Sequence, residues 1–280
     1  MHLTGLIGDP VAHSLSPVLH NAAFAYLGMD ARYELWQTAA EDLAERVASL
    51  RAPHVLGANV TLPHKRAVLA LLDRLEPVVE TVGAANTIIR EQDGTLTGTN
   101  TDMPAVLATL REDANYDPRG QSAVILGASG AARAAAVALI AAGVAQLLVV
   151  NRTLERAEEL LADVLASADA DPLLIACTPD AIDHEALGAA TLMINATSLG
   201  WHGDATPLPA TLISSNALVF DMVYRPTQLL RDAEARGART LGGLGMLVRQ
   251  AALAFEGWTG AAVPLKVMYD AVEEHNRTHV

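Results

Sequence analysis

Two short segments of the sequence hold a dense set of chemistry-bearing side chains. Residues 57–65 read GANVTLPHK and supply Asn59, Thr61 and Lys65; residues 99–102 read TNTD and supply Asn100 and Asp102. An amine and a carboxylate that meet in one cleft can hold and pass a proton. Amides and hydroxyls around them suit a small, oxygen-rich ligand. Downstream, residues 123–132 read AVILGASGAA, a strand followed by a glycine-bearing turn. The combination points to proton chemistry beside a nucleotide.

The glycine turn can be read residue by residue. Gly127 allows a sharp turn, and the small residues Ala128, Ser129 and Gly130 let backbone N–H groups approach a pyrophosphate. Ala132 stands at the third position, where a small side chain lets helix and strand pack closely. The next strand ends VVNRT, where an NAD enzyme would carry Asp or Glu for the ribose 2′-hydroxyl. This chain has Asn151, Arg152 and Thr153 there, with Arg156 one turn on. Arginine pairs with a 2′-phosphate, so the expected dinucleotide is the phosphorylated one.

The elements that must position these groups follow from pattern. His2 to Gly8 reads as a strand. Ser16-Pro17 reads as a helix start, with Ser16 as cap and proline in the first turn. Arg32 to Gln37 and Val55 to Val60 read as strands, Glu41 to Leu50 as helix, and helix resumes from about Lys65. Asn86–Arg90 and Thr95–Thr99 flank Asp93-Gly94, a hairpin signal. A helix from Met103 to about Asp113 leads into the polar NYDPRGQ. A second series follows: strand Ser122–Leu126, helix Ala131–Ala142 stopped by Gly143, and strands Leu147–Val150, Thr191–Asn195 and Leu218–Met222. Helix is expected from Leu244 to Gly257, and again after the WTG break. Strands alternating with helices imply parallel sheets.

Composition narrows the function classes. The chain has 280 residues, 51% of them hydrophobic, and a formal charge of −13 with no basic run. Nucleic acid and anionic membrane are therefore not expected partners. The longest apolar stretch, Ala134 to Ala145, is well short of the roughly 20 residues a membrane span needs. The start MHLTGLIGDP has no basic segment or signal-like core, so the protein is expected in the cytoplasm. Cys177 is the single cysteine. His13, His20 and His64 lack metal-ligand spacing, and no metal is expected.

With these pieces placed, the chain resembles the shikimate dehydrogenase family nearly end to end. GDPVAHSLSPVLHN (8–21), GANVTLPHK, GAANT (83–87), TNTD, LGASGAARA, NRTLERA, NATSLG (195–200), DMVYRP (221–226) and GLGMLVRQAALAF (243–255) stand in the family's order. The resemblance implies NADPH-dependent, reversible reduction of 3-dehydroshikimate to shikimate in aromatic amino-acid biosynthesis. It implies Lys65 and Asp102 as the catalytic pair, and Ser14 and Ser16 as holders of the substrate carboxylate. Asn59, Thr61, Asn86, Gln250 and Tyr224 become further substrate contacts. Gly127 to Ala132, including Ala131, with Asn151, Arg152, Thr153 and Arg156, become cofactor contacts; Thr197, Met222, Gly243 and Met246 fall near the ribose and nicotinamide.

The chemistry of the residues agrees. An amine pKa falls on partial desolvation, which favours Lys65 as the group exchanging the proton and Asp102 as its orienter. Transfer by Asp102 stays open. A quinate enzyme using NAD would carry an acid near position 152, and a catalytically dead regulator would tend to lose the Lys65/Asp102 pair. The expected architecture is two-domain α/β with a central cleft: a discontinuous substrate domain (1–102 and 243–280) and a Rossmann-like NADP-binding domain (103–242), as a monomer or homodimer. Four positions depart from the family pattern: Ser129 and Met103 replace glycines, Gly242 replaces an aspartate, and YRPTQLL is about two residues short.

Overall fold

Apolar runs and helix starts alternate along the chain and build two six-stranded sheets. The computed structural model describes residues 1–166 and 172–279. They divide into two compact units: Met1–Thr101 with Val248–Val280, and Asp102–Leu247.

In the first unit β1 (His2–Gly8) lies between β2 (Ala31–Gln37) and β3 (Val55–Val60), all parallel. Sheet order continues with β5 (Thr87–Arg90), β6 (Leu96–Thr99) and the two-residue β4 (Arg74–Leu75). The sheet is not wholly parallel. The turn carrying Asp93 and Gly94, with Gly94 at φ +86°, reverses the chain, so β6 pairs antiparallel with β5; β5 also runs antiparallel to β3. Helices α1 (Ser16–Tyr26), α2 (Leu43–Ser49) and α3 (Pro77–Val82) belong to this unit. Ile7, Val47, Val60, Val79, Ile88 and Leu96 share one buried core.

Two local expectations need correction. Ser16 does not cap α1: the cap is Leu15, without a side-chain bond, and Ser16 is the first helical residue. The hydroxyl that accepts a nearby backbone N–H is that of Ser14, 3.2 Å from Ser16 N. Lys65 lies in a turn, and the following helix is the 3₁₀ segment Ala67–Leu71. The chain enters β4 only three residues later, which leaves room for a short, tight helix alone.

The second unit opens with α4 (Asp102–Ala108), whose continuation Thr109–Asp113 widens into a π turn. Then come β7 (Ser122–Leu126), α5 (Gly130–Ala141), β8 (Gln146–Val150), α6 (Leu154–Leu165), β9 (Leu173–Cys177), α7 (His184–Ala189), β10 (Leu192–Asn195), β11 (Leu218–Asp221), α8 (Gln228–Ala235) and β12 (Arg239–Gly242). All six strands are parallel, in the order β9-β8-β7-β10-β11-β12. This is a doubly wound arrangement, and its order reverses between β7 and β10. Helix α9 (Leu244–Thr259) starts in this unit and ends in the first, which α10 (Leu265–His279) completes by packing on α1. No described helix is long and apolar enough to cross a membrane.

Candidate active site

In a doubly wound sheet, ligands bind at the carboxyl ends of the strands where the order reverses. Here those ends belong to β7 and β10. Gly127 follows β7 at φ +105°, and a Cβ there would lie 3.0 Å from Thr197 Cγ2 and 3.2 Å from the Ala196 carbonyl. Only glycine fits both that backbone and that neighbour. Ser129 needs no positive φ: at φ −82° it caps α5, accepts the Ala132 N–H at 3.2 Å and donates to the Ala196 carbonyl at 2.9 Å. The replacement of glycine thus gives a turn stapled to the residue that follows β10. The N-terminus of α5, with its partial positive charge, opens directly behind it.

Thr197 is held in its own loop. Its N–H and hydroxyl both donate to Asn195 Oδ1, at 3.0 and 2.7 Å. Beyond β8, the Asn151 amide donates to the Thr153 carbonyl at 2.8 Å, while Arg152, Thr153 and Arg156 are exposed. Two exposed guanidinium groups stand where an acid would repel a 2′-phosphate, so these residues fit NADP. Met222 donates its N–H to the Asn195 carbonyl at 3.1 Å, and Gly243 donates to the Val223 carbonyl at 3.3 Å. Tyr224 is half-buried, edge-on to Trp201 at 4.6 Å, and lines a cavity of about 340 Å³ with Gly242 and Gly243. Met246 is buried in α9.

A buried carboxylate, given no role in the sequence reading, ties these loops together. Asp221, at the end of β11, has no exposed surface. It accepts from Asn195 Nδ2 at 2.9 Å, Val223 N at 3.0 Å and Thr227 Oγ1 at 2.7 Å. Burial pushes its pKa up, against the three hydrogen bonds that pull it down. The sequence signal was present: polar Asn195 and Asp221 end two otherwise apolar strands, LMIN and LVFD.

The first unit gathers Asn59, Asn86, Ser14 and Ser16 into a polar, mostly buried group. Asn59 ends toward Tyr33, whose hydroxyl donates to Asn59 Oδ1 at 2.8 Å. Asn86 accepts the Thr101 N–H at 2.8 Å and donates to Thr101 Oγ1 at 2.9 Å. The Asn100 amide donates to the Ala84 carbonyl at 2.9 Å. Lys65 is half-buried, and its carbonyl accepts the Ala85 N–H at 2.9 Å, which ties its turn to GAANT. Thr61 and Gln250 are half-buried in this unit. Asp102, buried at the first position of α4, belongs to the second.

Three histidines fall into different settings. His64 is buried, its Nε2 2.7 Å from the Thr38 carbonyl. His13 is exposed. His20 is wholly buried, stacked on Tyr33 at 4.4 Å, and desolvation pushes its pKa down to about 3, so the ring is neutral. Among the described residues no group of three or more His, Cys, Asp or Glu is placed to hold a metal. Trp258 donates its indole N–H to the Ile88 carbonyl at 2.9 Å.

Comparison with known proteins gives concordant matches. The family described as shikimate dehydrogenase substrate binding domain matches residues 6–88. Shikimate / quinate 5-dehydrogenase matches residues 109–176, and the shikimate 5′-dehydrogenase C-terminal domain matches residues 243–273. The NADP⁺ shikimate dehydrogenase of Moorella thermoacetica is 46% identical over 276 residues, 97% of this chain and 92% of that one. That of Methanopyrus kandleri is 43% identical over 281 residues, covering 99% and 96%. Among solved structures, shikimate 5-dehydrogenase from Thermus thermophilus in complex with NADP(H) and shikimate is 38% identical, with a TM-score of 0.86 over 98% of this chain and 99% of that one.

Proposed function

Because the chain belongs to the shikimate dehydrogenase family, we propose that the residues described above divide one hydride transfer and one proton transfer between them. The enzyme interconverts 3-dehydroshikimate and shikimate with NADP, a step of aromatic amino-acid biosynthesis. NADP supplies the hydride acceptor at the carbinol carbon and takes no proton from the hydroxyl. Lys65 receives that proton in the oxidative direction and returns it in reduction. Asp102 orients the amine and hydrogen-bonds a ring hydroxyl. Ser14 and Ser16 hold the substrate carboxylate, and Asn59, Thr61, Asn86, Tyr224 and Gln250 complete its contacts.

The cofactor is held, on this reading, by residues of the second unit. The Gly127–Ala132 turn takes the pyrophosphate. Asn151, Arg152, Thr153 and Arg156 take the adenosine ribose and its 2′-phosphate, and Thr197, Met222, Gly243 and Met246 surround the nicotinamide half. Substrate handling falls mainly to residues 1–102 and 243–280 and cofactor handling mainly to 103–242, with Tyr224 on the one side and Gly243 and Met246 on the other crossing that division. The acidic chain, at −13, acts without nucleic acid, in the cytoplasm, as a monomer or homodimer.

One observation supports the assignment most: GANVTLPHK and TNTD both stand in a chain that keeps the whole motif order. The test is absorbance of reduced nicotinamide with shikimate and NADP⁺, beside quinate and NAD⁺. Lys65→Met keeps bulk and removes the amine. It is expected to lower kcat at least about 100-fold, the lower end for general acid–base groups, with NADP binding unchanged by titration. Near-normal kcat in that variant would overturn the role of Lys65. A deeper loss in Asp102→Asn than in Lys65→Met would transfer the proton to Asp102.

A further inference from the structure

The amide of Asn59 is held in one orientation by a chain of hydrogen bonds whose direction can be deduced from a single backbone group. Thr101 N–H can only donate, and it meets one end of the Asn86 amide at 2.8 Å, so that end is Oδ1. Thr87 Oγ1 lies 3.1 Å from the same oxygen and must therefore point its proton at it. With its proton so placed, Thr87 accepts from Asn59 at 3.0 Å, which makes that atom Nδ2. The second Nδ2 proton of Asn59 faces the Asn86 carbonyl at 3.4 Å. The remaining end of Asn59 is Oδ1, and Tyr33 OH, 2.8 Å away, must donate to it.

Tyr33 is built to keep that role. It sits in β2, opposite Thr4, while Asn59 sits in β3 opposite Leu6, so the phenol reaches across β1. Its backbone is clamped on both sides by the Asn21 side chain, at 2.8 and 3.1 Å. His20, the neighbouring residue of α1, stacks on the ring within 8° of parallel. Burial raises the phenol pKa well above its ordinary value, so the group stays a donor. Ser16, on the same helix as His20, accepts from Ser14 at 3.0 Å.

We propose that Tyr33 is a positioning and specificity-determining residue for the substrate: by holding Asn59 with both amide protons turned inward, it leaves Asn59 an acceptor, which selects a ligand hydroxyl that donates. The proposal rests on the reading of Asn59 as a substrate contact. Without the phenol proton the Asn59 amide keeps only its Thr87 and Asn86 contacts; the turned-over orientation, which presents N–H groups to a hydroxyl oriented for an acceptor, is then less strongly disfavoured.

The experiment is a double-mutant cycle of Tyr33→Phe and Asn59→Ala, with kcat, KM for shikimate and KM for NADP measured for each. Tyr33→Phe is expected to raise KM for shikimate roughly 3–10-fold, the scale of one hydrogen bond, with kcat and KM for NADP held. Asn59→Ala is expected to raise it at least as much, and the double variant no further. A Tyr33→Phe effect as large in the Asn59→Ala background as alone would mean general packing and overturn the proposal. Loss of substrate affinity in Asn59→Ala with none in Tyr33→Phe would overturn the proposal alone. An Asn59→Ala variant with unchanged KM would overturn the contact itself and the proposal with it. Should Tyr33→Phe fail to fold, Thr87→Val and Thr87→Ser probe the other end of the same amide. Valine is expected to raise KM for shikimate and serine to restore it; equal effects would refute the directed chain.

Discussion

Asp221→Ala is the perturbation that most directly tests how the segments after β10 and β11 are held. The substitution removes the acceptor shared by Asn195 Nδ2, Val223 N and Thr227 Oγ1, at 2.9, 3.0 and 2.7 Å. Without it three donors are left unpaired, at about 2 kcal/mol each, roughly 6 in all. Removing the carboxylate also relieves its burial, which offsets on the order of 2 kcal/mol of that. The expected net loss is about 4 kcal/mol, or roughly 8–16 °C in Tm for a unit of this size. Asp221→Asn keeps one acceptor oxygen, and the Thr227 hydroxyl can rotate to accept; its expected loss is below about 1.5 kcal/mol. The pH dependence has a definite sign. A folded-state pKa raised above the ordinary 3.8 means that the Asp221 contribution is full below 3.8 and is lost as pH rises through the folded value. Asp221→Asn lacks this loss, so its stability relative to the parent improves from pH 4 toward neutrality. Thermal and urea unfolding from pH 4 to 8, with KM for NADP at pH 7, is the assay. An alanine variant within about 1 kcal/mol of the parent would refute the reasoning.

Two further outcomes are expected. Arg152→Asp replaces an exposed cation with an anion; KM for NADP should rise at least about tenfold while KM for NAD holds or falls, and an equal loss for both cofactors would remove the 2′-phosphate assignment. His20 is neutral in the fold with its pKa lowered from 6.5 to about 3, so its contribution to stability is full above 6.5 and is lost as pH falls through that window. Urea unfolding from pH 7 to 4 should therefore show an acid limb that is shallower in His20→Phe by up to about 1.4 kcal/mol per pH unit; identical limbs would place a charged imidazole in the core.

The elements legible in the sequence were those whose signals are local. Asp93-Gly94 fixes a hairpin through one positive φ, and Gly127 and Gly143, at φ +105° and +83°, mark the start and stop of α5. Strand HLTGLIG was readable because an apolar run ended at glycine. Short elements without a period were not: β12 reads RTLG and α3 reads PVVETV, and both take their form from neighbours. Side-chain types at Lys65, Asn59, Asp102 and Arg152 marked them as candidates. Their immediate partners were not readable, because Tyr33 and Asn59 are 26 residues apart and meet only through strand register. Asp221 is a mixed case: Val223 and Thr227 lie two and six residues on, while Asn195 arrives from the end of β10, 26 residues away.

The adjacent glycines at the end of β12 have opposite prospects under mutation. A Cβ on Gly243 would stand 2.2 Å from the Met222 carbonyl oxygen and 2.5 Å from its carbon, and neither backbone atom can move aside. A Cβ on Gly242 meets nothing within 4 Å, and the residue is exposed on the rim of the 340 Å³ cavity. One position is closed to a side chain; at its neighbour a Cβ meets no obstacle, as for the aspartate that the family often places there. Sequence drift along this short stretch is thus channelled into Gly242, which makes it the natural place to vary the chain or attach a reporter while the backbone beside it stays fixed.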